Sequence, residues 1–140
     1  MFNTIPTIVS GVSSVIQNAG LTGFTFHTDE LIDFEASDYP VICIYIMQDK
    51  QKDGLASSGT HERQCSIRVS IYMLATGLSI SSTISPVADV IAKSILNSNN
   101  LNYAVSYIED FTLSFDVAKQ DQNYAEGHLD FVATYIARTH

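Results

Sequence analysis

Ile5, Ile8, Val9, Val12, Val15, Ile16 and Ala19 recur at the spacing of a single helix face, so the chain opens with an amphipathic helix. Thr4 is placed to cap it, Pro6 falls in its first turn, and Gly20 stands just past its end. A short strand follows at 23–27, and then the acidic stretch "TDELIDFEASDYP", which reads as a connection or one helical turn capped by Thr28. Val41 to Met47 is apolar at every position, the pattern of a strand covered on both faces. From Gln64 to Leu74 the pattern alternates, with Cys65, Ile67, Val69, Ile71 and Met73 on one face and Gln64, Ser66, Arg68 and Ser70 on the other. Only the first of those faces needs a core.

The run "GLSISSTISPVADVIAKSILNSNN" predicts a second helix, started by Ser85 and Pro86, with Ile84, Val87, Ala88, Ile91 and Ile95 on one face and the asparagines ending it. Phe111, Leu113, Phe115 and Val117 then alternate with polar residues, as do Leu129, Phe131, Ala133 and Tyr135, with the polar turn "AKQDQNYAEG" between the two strands. The order α-β-β-β-α-β-β contains no regular βαβ repeat. It predicts an α+β domain, a mostly antiparallel sheet of four to five strands with two helices packed on one face.

One segment does not fit a compact sheet. "QDKQKDGLASSGTHER", residues 48–63, separates two apolar strands that a two-residue turn could join. Loops of this length inside compact domains are uncommon without a role. Its Gly, Ser and balanced charges offer little to the chain's own core. It reads as a polar arm able to reach a neighbour, and the alternative is an ordinary long surface loop.

Composition narrows the class. The 140 residues are 46% hydrophobic and 16% charged, which suits one globular domain, 1–140. No run of about 18 apolar residues occurs and the N-terminus lacks the pattern of a signal peptide, so the expectation is a soluble protein made in the cytoplasm. Cys43 and Cys65 both sit in apolar strand patterns and read as buried free thiols. The net charge of −8 argues against a surface that embraces nucleic acid or an anionic membrane. The acids fall in two blocks: Asp29, Glu30, Asp33, Glu35 and Asp38 in a region without Lys or Arg, and a second that includes Asp116, Asp121 and Asp130. Each is either a solvated face or an acidic surface with a task.

Motifs for chemistry are missing from the sequence. There is no phosphate loop, nucleophile elbow, paired-cysteine zinc spacing or His-Glu-x-x-His, and no calcium loop among the acids. His61 and Cys65 would share a strand face but lie roughly 13 Å apart, beyond hydrogen-bond reach. Tyr45, Tyr72, Tyr103, Tyr107 and Tyr135 read as sheet packing or as interface anchors.

The layout as a whole resembles a known family. A first helix, "SDYPVICIYI", a long polar arm, "HERQCSIRVSIYML", a helix and a final hairpin ending "HLDFVATYIAR" look like the tail terminator, or tail completion, proteins of long-tailed bacteriophages. The resemblance covers nearly the whole chain and is one of layout. It implies a virion protein, made in the host cytoplasm, that forms a ring, usually a hexamer, on the head-proximal end of the tail tube. There it ends tube growth and presents the surface that joins tail to head. No enzyme activity or cofactor is implied. The implied partners are other copies of the chain, the tail tube protein and the head-tail connectors; DNA passes through without specific binding, and no membrane is involved. The arm residues Asp49, Lys50, Lys52, Asp53, His61, Glu62 and Arg63 become candidates for ring or tube contacts, and the two acidic blocks become candidates for a lumen lining that repels phosphate. The rival readings are another head-tail connector or tail tube subunit, and a small α+β enzyme or ligand-binding domain built on dispersed residues such as His27, Asp29, Arg68 and His128.

Overall fold

The computed structural model describes residues 4–28, 40–51, 60–74, 79–115 and 124–138. In chain order they form helix α1 (Thr4–Gln17), strands β1 (Thr25–His27), β2 (Val41–Gln51) and β3 (Thr60–Leu74), helix α2 (Ile80–Leu96), and strands β4 (Tyr107–Phe115) and β5 (Tyr124–Arg138). This is the predicted α+β order. Among the described residues the sheet is five-stranded and mixed, in the order β1-β2-β3-β5-β4, with β1 parallel to β2 and the other neighbours antiparallel.

Both helices pack on one face because their stripes meet the inward positions of every long strand. Ile8, Val12 and Ile16 of α1 and Ile80, Ile84, Ala88, Ile91 and Ile95 of α2 are buried against Ile42, Ile44, Ile67, Val69, Ile71, Leu129, Phe131 and Ala133. Each of the larger side chains, Ile, Leu, Val and Phe, stabilises the fold by about 1.5–3 kcal/mol relative to exposure. Phe111 of β4 stacks on Phe131, with ring centroids 5.2 Å apart. Gly127 lies where α2 crosses β5, and a Cβ there would overlap Ile84 Cγ2.

Several predicted boundaries move, among them the start of β5, which lies at Tyr124 inside the predicted turn. Helix α2 begins at Ile80, well before Pro86, because Ser79 caps it: Ser79 Oγ accepts from the Ser82 backbone N–H at 3.1 Å. Pro86 therefore lies inside the helix, where it withholds one backbone N–H and is tolerated on an exposed side. Strands β2 and β3 run on into the predicted arm, to Gln51 and from Thr60, leaving residues 52–59 outside the described part. The far face of β3 is not simply solvated either: Ser70 and Tyr72 are buried there, with Val41 and Cys43 beside Tyr72.

After α2 the asparagine run does more than stop a helix. Asn99 to Tyr103 all adopt positive φ, between 53° and 69°, so the chain makes a left-handed turn. Three of its five residues are Asn, a residue that visits this region more readily than most. Buried Leu101 anchors the turn; its N–H donates to Ser98 Oγ at 2.9 Å, and Asn100 Nδ2 donates to the Ser106 carbonyl at 2.9 Å.

Candidate functional site

The base of the arm is organised by a bulge. Strand β2 keeps Ile42, Ile44 and Ile46 on the helix side; at Met47 its register against β3 slips, so Ile46 pairs with Ile67 but Gln48 pairs with Ser66. The extra residue turns Asp49 to the helix side, the side of Cys65 and Tyr135. There Arg63 Nε donates to Asp49 Oδ2 at 3.0 Å and the Tyr135 hydroxyl donates to Asp49 Oδ1 at 2.8 Å. Both charged side chains are nearly enclosed, at 11% exposure for Arg63 and 9% for Asp49. Burial, and then the Asp49 carboxylate, raise the Tyr135 hydroxyl above its ordinary range and push the Cys65 thiol up to about 12. Two of the predicted arm charges thus satisfy each other within the chain. Lys50 and Glu62 remain exposed on the strands, His61 lies on β3, and Lys52 and Asp53 lie outside the described residues.

The far face of the sheet carries a second polar group. Arg68 holds Asp130 with two parallel bonds, Nε to Oδ1 at 2.8 Å and Nη2 to Oδ2 at 2.9 Å, and this bonding holds the guanidinium above its ordinary range. One level along, Ser70 Oγ lies 2.8 Å from His128 Nδ1, and His128 Nε2 lies 3.0 Å from Glu126 Oε2. The arrangement has the members of a Ser-His-carboxylate triad but not its working geometry. Ser70 is fully buried in the middle of β3, a strand paired on both sides, so its nucleophile is enclosed and the ladder uses the amides an oxyanion would need. What the group does is bond β3 to β5 across a buried polar row.

Of the dispersed residues in the enzyme reading, Arg68 and His128 share this face. His27 lies on the same row, since it pairs with Cys43, which pairs with Ser70, which pairs with His128. Three strand spacings place His27 and His128 roughly 14 Å apart. No group of His, Cys, Asp and Glu able to hold a metal occurs among the described residues. Among the candidate lining acids, Asp29, Glu30, Asp33, Glu35, Asp38, Asp116 and Asp121 lie outside the described residues. Asp130 is described, and Arg68 compensates its charge.

The sheet has two open sides. Among the described residues no strand pairs with the outer side of β4, and β1 covers β2 only from Val41 to Cys43, leaving that side open from Ile44 onward. On the helix side of β4 an apolar groove of about 540 Å³ runs between α2 and the strand, over Ala88, Ala92, Phe111 and Leu113. These features were hidden in the sequence because they depend on strand order, which the alternation pattern does not encode.

No protein-family model matches the chain, and no curated protein matches it in sequence. Among solved structures it is similar to the sheath/tube terminator of an extracellular contractile injection system, PVC, in the extended state, with a TM-score of 0.63 and 9% sequence identity. The match covers 97% of this chain and 57% of that one, so the chain spans little more than half the length of the protein it matches. At that identity the likeness establishes the fold.

Proposed function

We propose that the chain is a structural subunit that ends a protein tube: a bacteriophage tail terminator, one domain over 1–140, that forms a ring on the head-proximal end of the tail tube and presents the head-joining surface. The observation that carries this reading is the likeness, over 97% of the chain, to a sheath/tube terminator. The polar arm with its ordered base supports it. The Asp49–Arg63–Tyr135 cluster ties β2, β3 and β5 together at the end of their described part, a fixed base that suits contact with a neighbouring copy or the tube. Under this reading Lys50, Lys52, Asp53, His61 and Glu62 face those partners, while Asp49 and Arg63 hold the base. The hexameric number comes from the layout's resemblance to the phage tail terminator family.

The lumen lining belongs to the Asp29–Asp38 block or to Asp116 and Asp121, since Asp130 is already neutralised. DNA then passes a wall of like charge without binding. Another head-tail connector or tube subunit would share the ring and differ in its position on the particle. The test is negative-stain imaging of tails made with and without the protein, together with purified protein alone. Rings on the head-proximal ends of tails of uniform length, and overgrown tubes without the protein, are expected. Tails of normal length that join heads in its absence would overturn the assignment.

A further inference from the structure

The two open sides of the sheet match each other. Pairings through the sheet place Ile44 level with Val69, Leu129 and then Leu113, and place Gln48 level with Ser66, Val132 and then Glu109. The open stretch of β2 and the outer side of β4 therefore stand at the same height, on opposite sides of one molecule. Both strands carry a bulge at that height: Met47 between the levels of Ile46 and Gln48, and Asp110–Phe111 between Glu109 and Thr112, with Asp110 at φ 60°. A bulge usually turns an edge away from pairing. Two bulges at one level can follow one another instead.

Direction agrees as well. β2, β3, β5 and β4 alternate in sense, so β4 runs opposite to β2. A second copy rotated about an axis along the strands would bring its β2 antiparallel to this β4. Residues on one face then stay on that face on both sides of the bulges: Ile44 meets Leu113 on the helix side, and Gln48 meets Glu109 on the far side. Exposed Lys50 falls diagonally across from Glu109, an opposite-charge neighbour. β1 covers β2 up to Cys43, so the contact begins at Ile44 and the last two residues of the neighbouring β4, Ser114 and Phe115, turn aside from β1. On the helix side, the α2–β4 groove comes to face the flank of the next copy's α1, where Ile5 and Val9 are only partly buried.

We propose that β4 of one copy pairs antiparallel with the open side of β2 of a second copy, Glu109 opposite Gln48 and Leu113 opposite Ile44, so that one sheet continues from copy to copy. The contact is head-to-tail, uses different surfaces on its two sides, and closes when the rotation divides a full turn. This deepens the ring reading above and rests on its self-assembly.

Cysteine cross-linking tests it on the full chain, because Cys43 and Cys65 are buried. Gln48→Cys and Glu109→Cys proteins are oxidised singly, mixed, and as the double variant, while light scattering reports size. The expected result is a covalent dimer only in the mixture and a ladder of multimers from the double variant. Dimers from Glu109→Cys alone would mean a two-fold β4–β4 contact and would overturn the proposal. A stronger ladder from Gln48→Cys with Thr112→Cys would overturn the register. Rings by scattering with no ladder would sink the edge contact and leave the ring reading standing; a monomer at every concentration and beside tubes would sink both.

Discussion

At the scale of single residues, Asp49 shows how little the chain's charges say about their partners. In the sequence it is one acid among the balanced charges of a polar arm; in the fold a single extra residue at Met47 turns it inward to Arg63 and Tyr135. The uniformly apolar run before it has no period of two, so a one-residue slip leaves no trace there. Asp49→Asn keeps the shape but removes the charge to which both partners donate, and should cost about 1–3 kcal/mol in a urea titration. Asp49→Glu should not restore it, because the longer side chain misplaces the carboxylate between two fixed donors. The cysteines were legible, since thiols in apolar strands are expected to be buried, and they carry a pH consequence. Burial raises Cys43 to about 11 and Cys65 to about 12 from an ordinary 9.0. Above about pH 9 the unfolded chain loses thiol protons that the folded chain keeps, so stability is full below that pH and falls as pH rises toward the folded values. The expected loss is about 1 kcal/mol per thiol at about pH 10. A Cys43→Ala, Cys65→Ala protein should show a smaller fall between the urea midpoints at about pH 7.5 and about pH 10.

At the scale of elements, long periodic segments were readable and their ends were not. Helix α1 and the alternating halves of β3 and β5 follow directly from spacing, because one buried face dictates each pattern. The start of α2 was missed because Pro86 imitates a first helical residue, while the actual cap, Ser79, sits in a serine-rich run with several equivalent candidates. The contact that holds α2 down was not visible either: Gly127 reads as the end of a turn, yet it is a mid-strand position where Ile84 needs the space. Gly127→Ala should destabilise by about 1–3 kcal/mol through overpacking. Ile84→Ala alone should cost about 2–5 kcal/mol, and the double variant less than the sum, since each change removes part of the other's penalty. Additive losses in thermal melts would show that α2 and β5 are not coupled through this contact.

At the scale of the molecule, the order of elements predicted the class of fold but not which strand lies beside which. Parallel β1 and the open sides of β2 and β4 follow from that neighbour list, and with them the surfaces on which assembly would depend. The arm is the part whose role can be separated from folding. Replacing residues 53–61 by Asn-Gly spares Asp49, Gln51 and Arg63 and turns the hairpin tightly, so the melting temperature should change little. Ring formation and capping of tubes should fall, which gel filtration and electron microscopy would report. A shortened protein that still forms rings and caps tubes would reduce the arm to a loop.

The position of β5 also sets a timetable. It is the last of the strands to be made, yet it lies between β3 and β4 and pairs with both. A ribosome that has released everything before residue 124 has delivered both helices and four strands that cannot yet join into one sheet. Two separate pieces must wait, each with a raw side, for one segment to enter between them. Such late, long-range insertion makes folding slow for a chain of this size and leaves nascent copies prone to pair with one another. A chain stopped before Tyr124 should accordingly show no cooperative melting. If copies join through β2 and β4 as proposed, both sides of that contact belong to one rigid sheet only once β5 has bound β4 to the rest of the molecule.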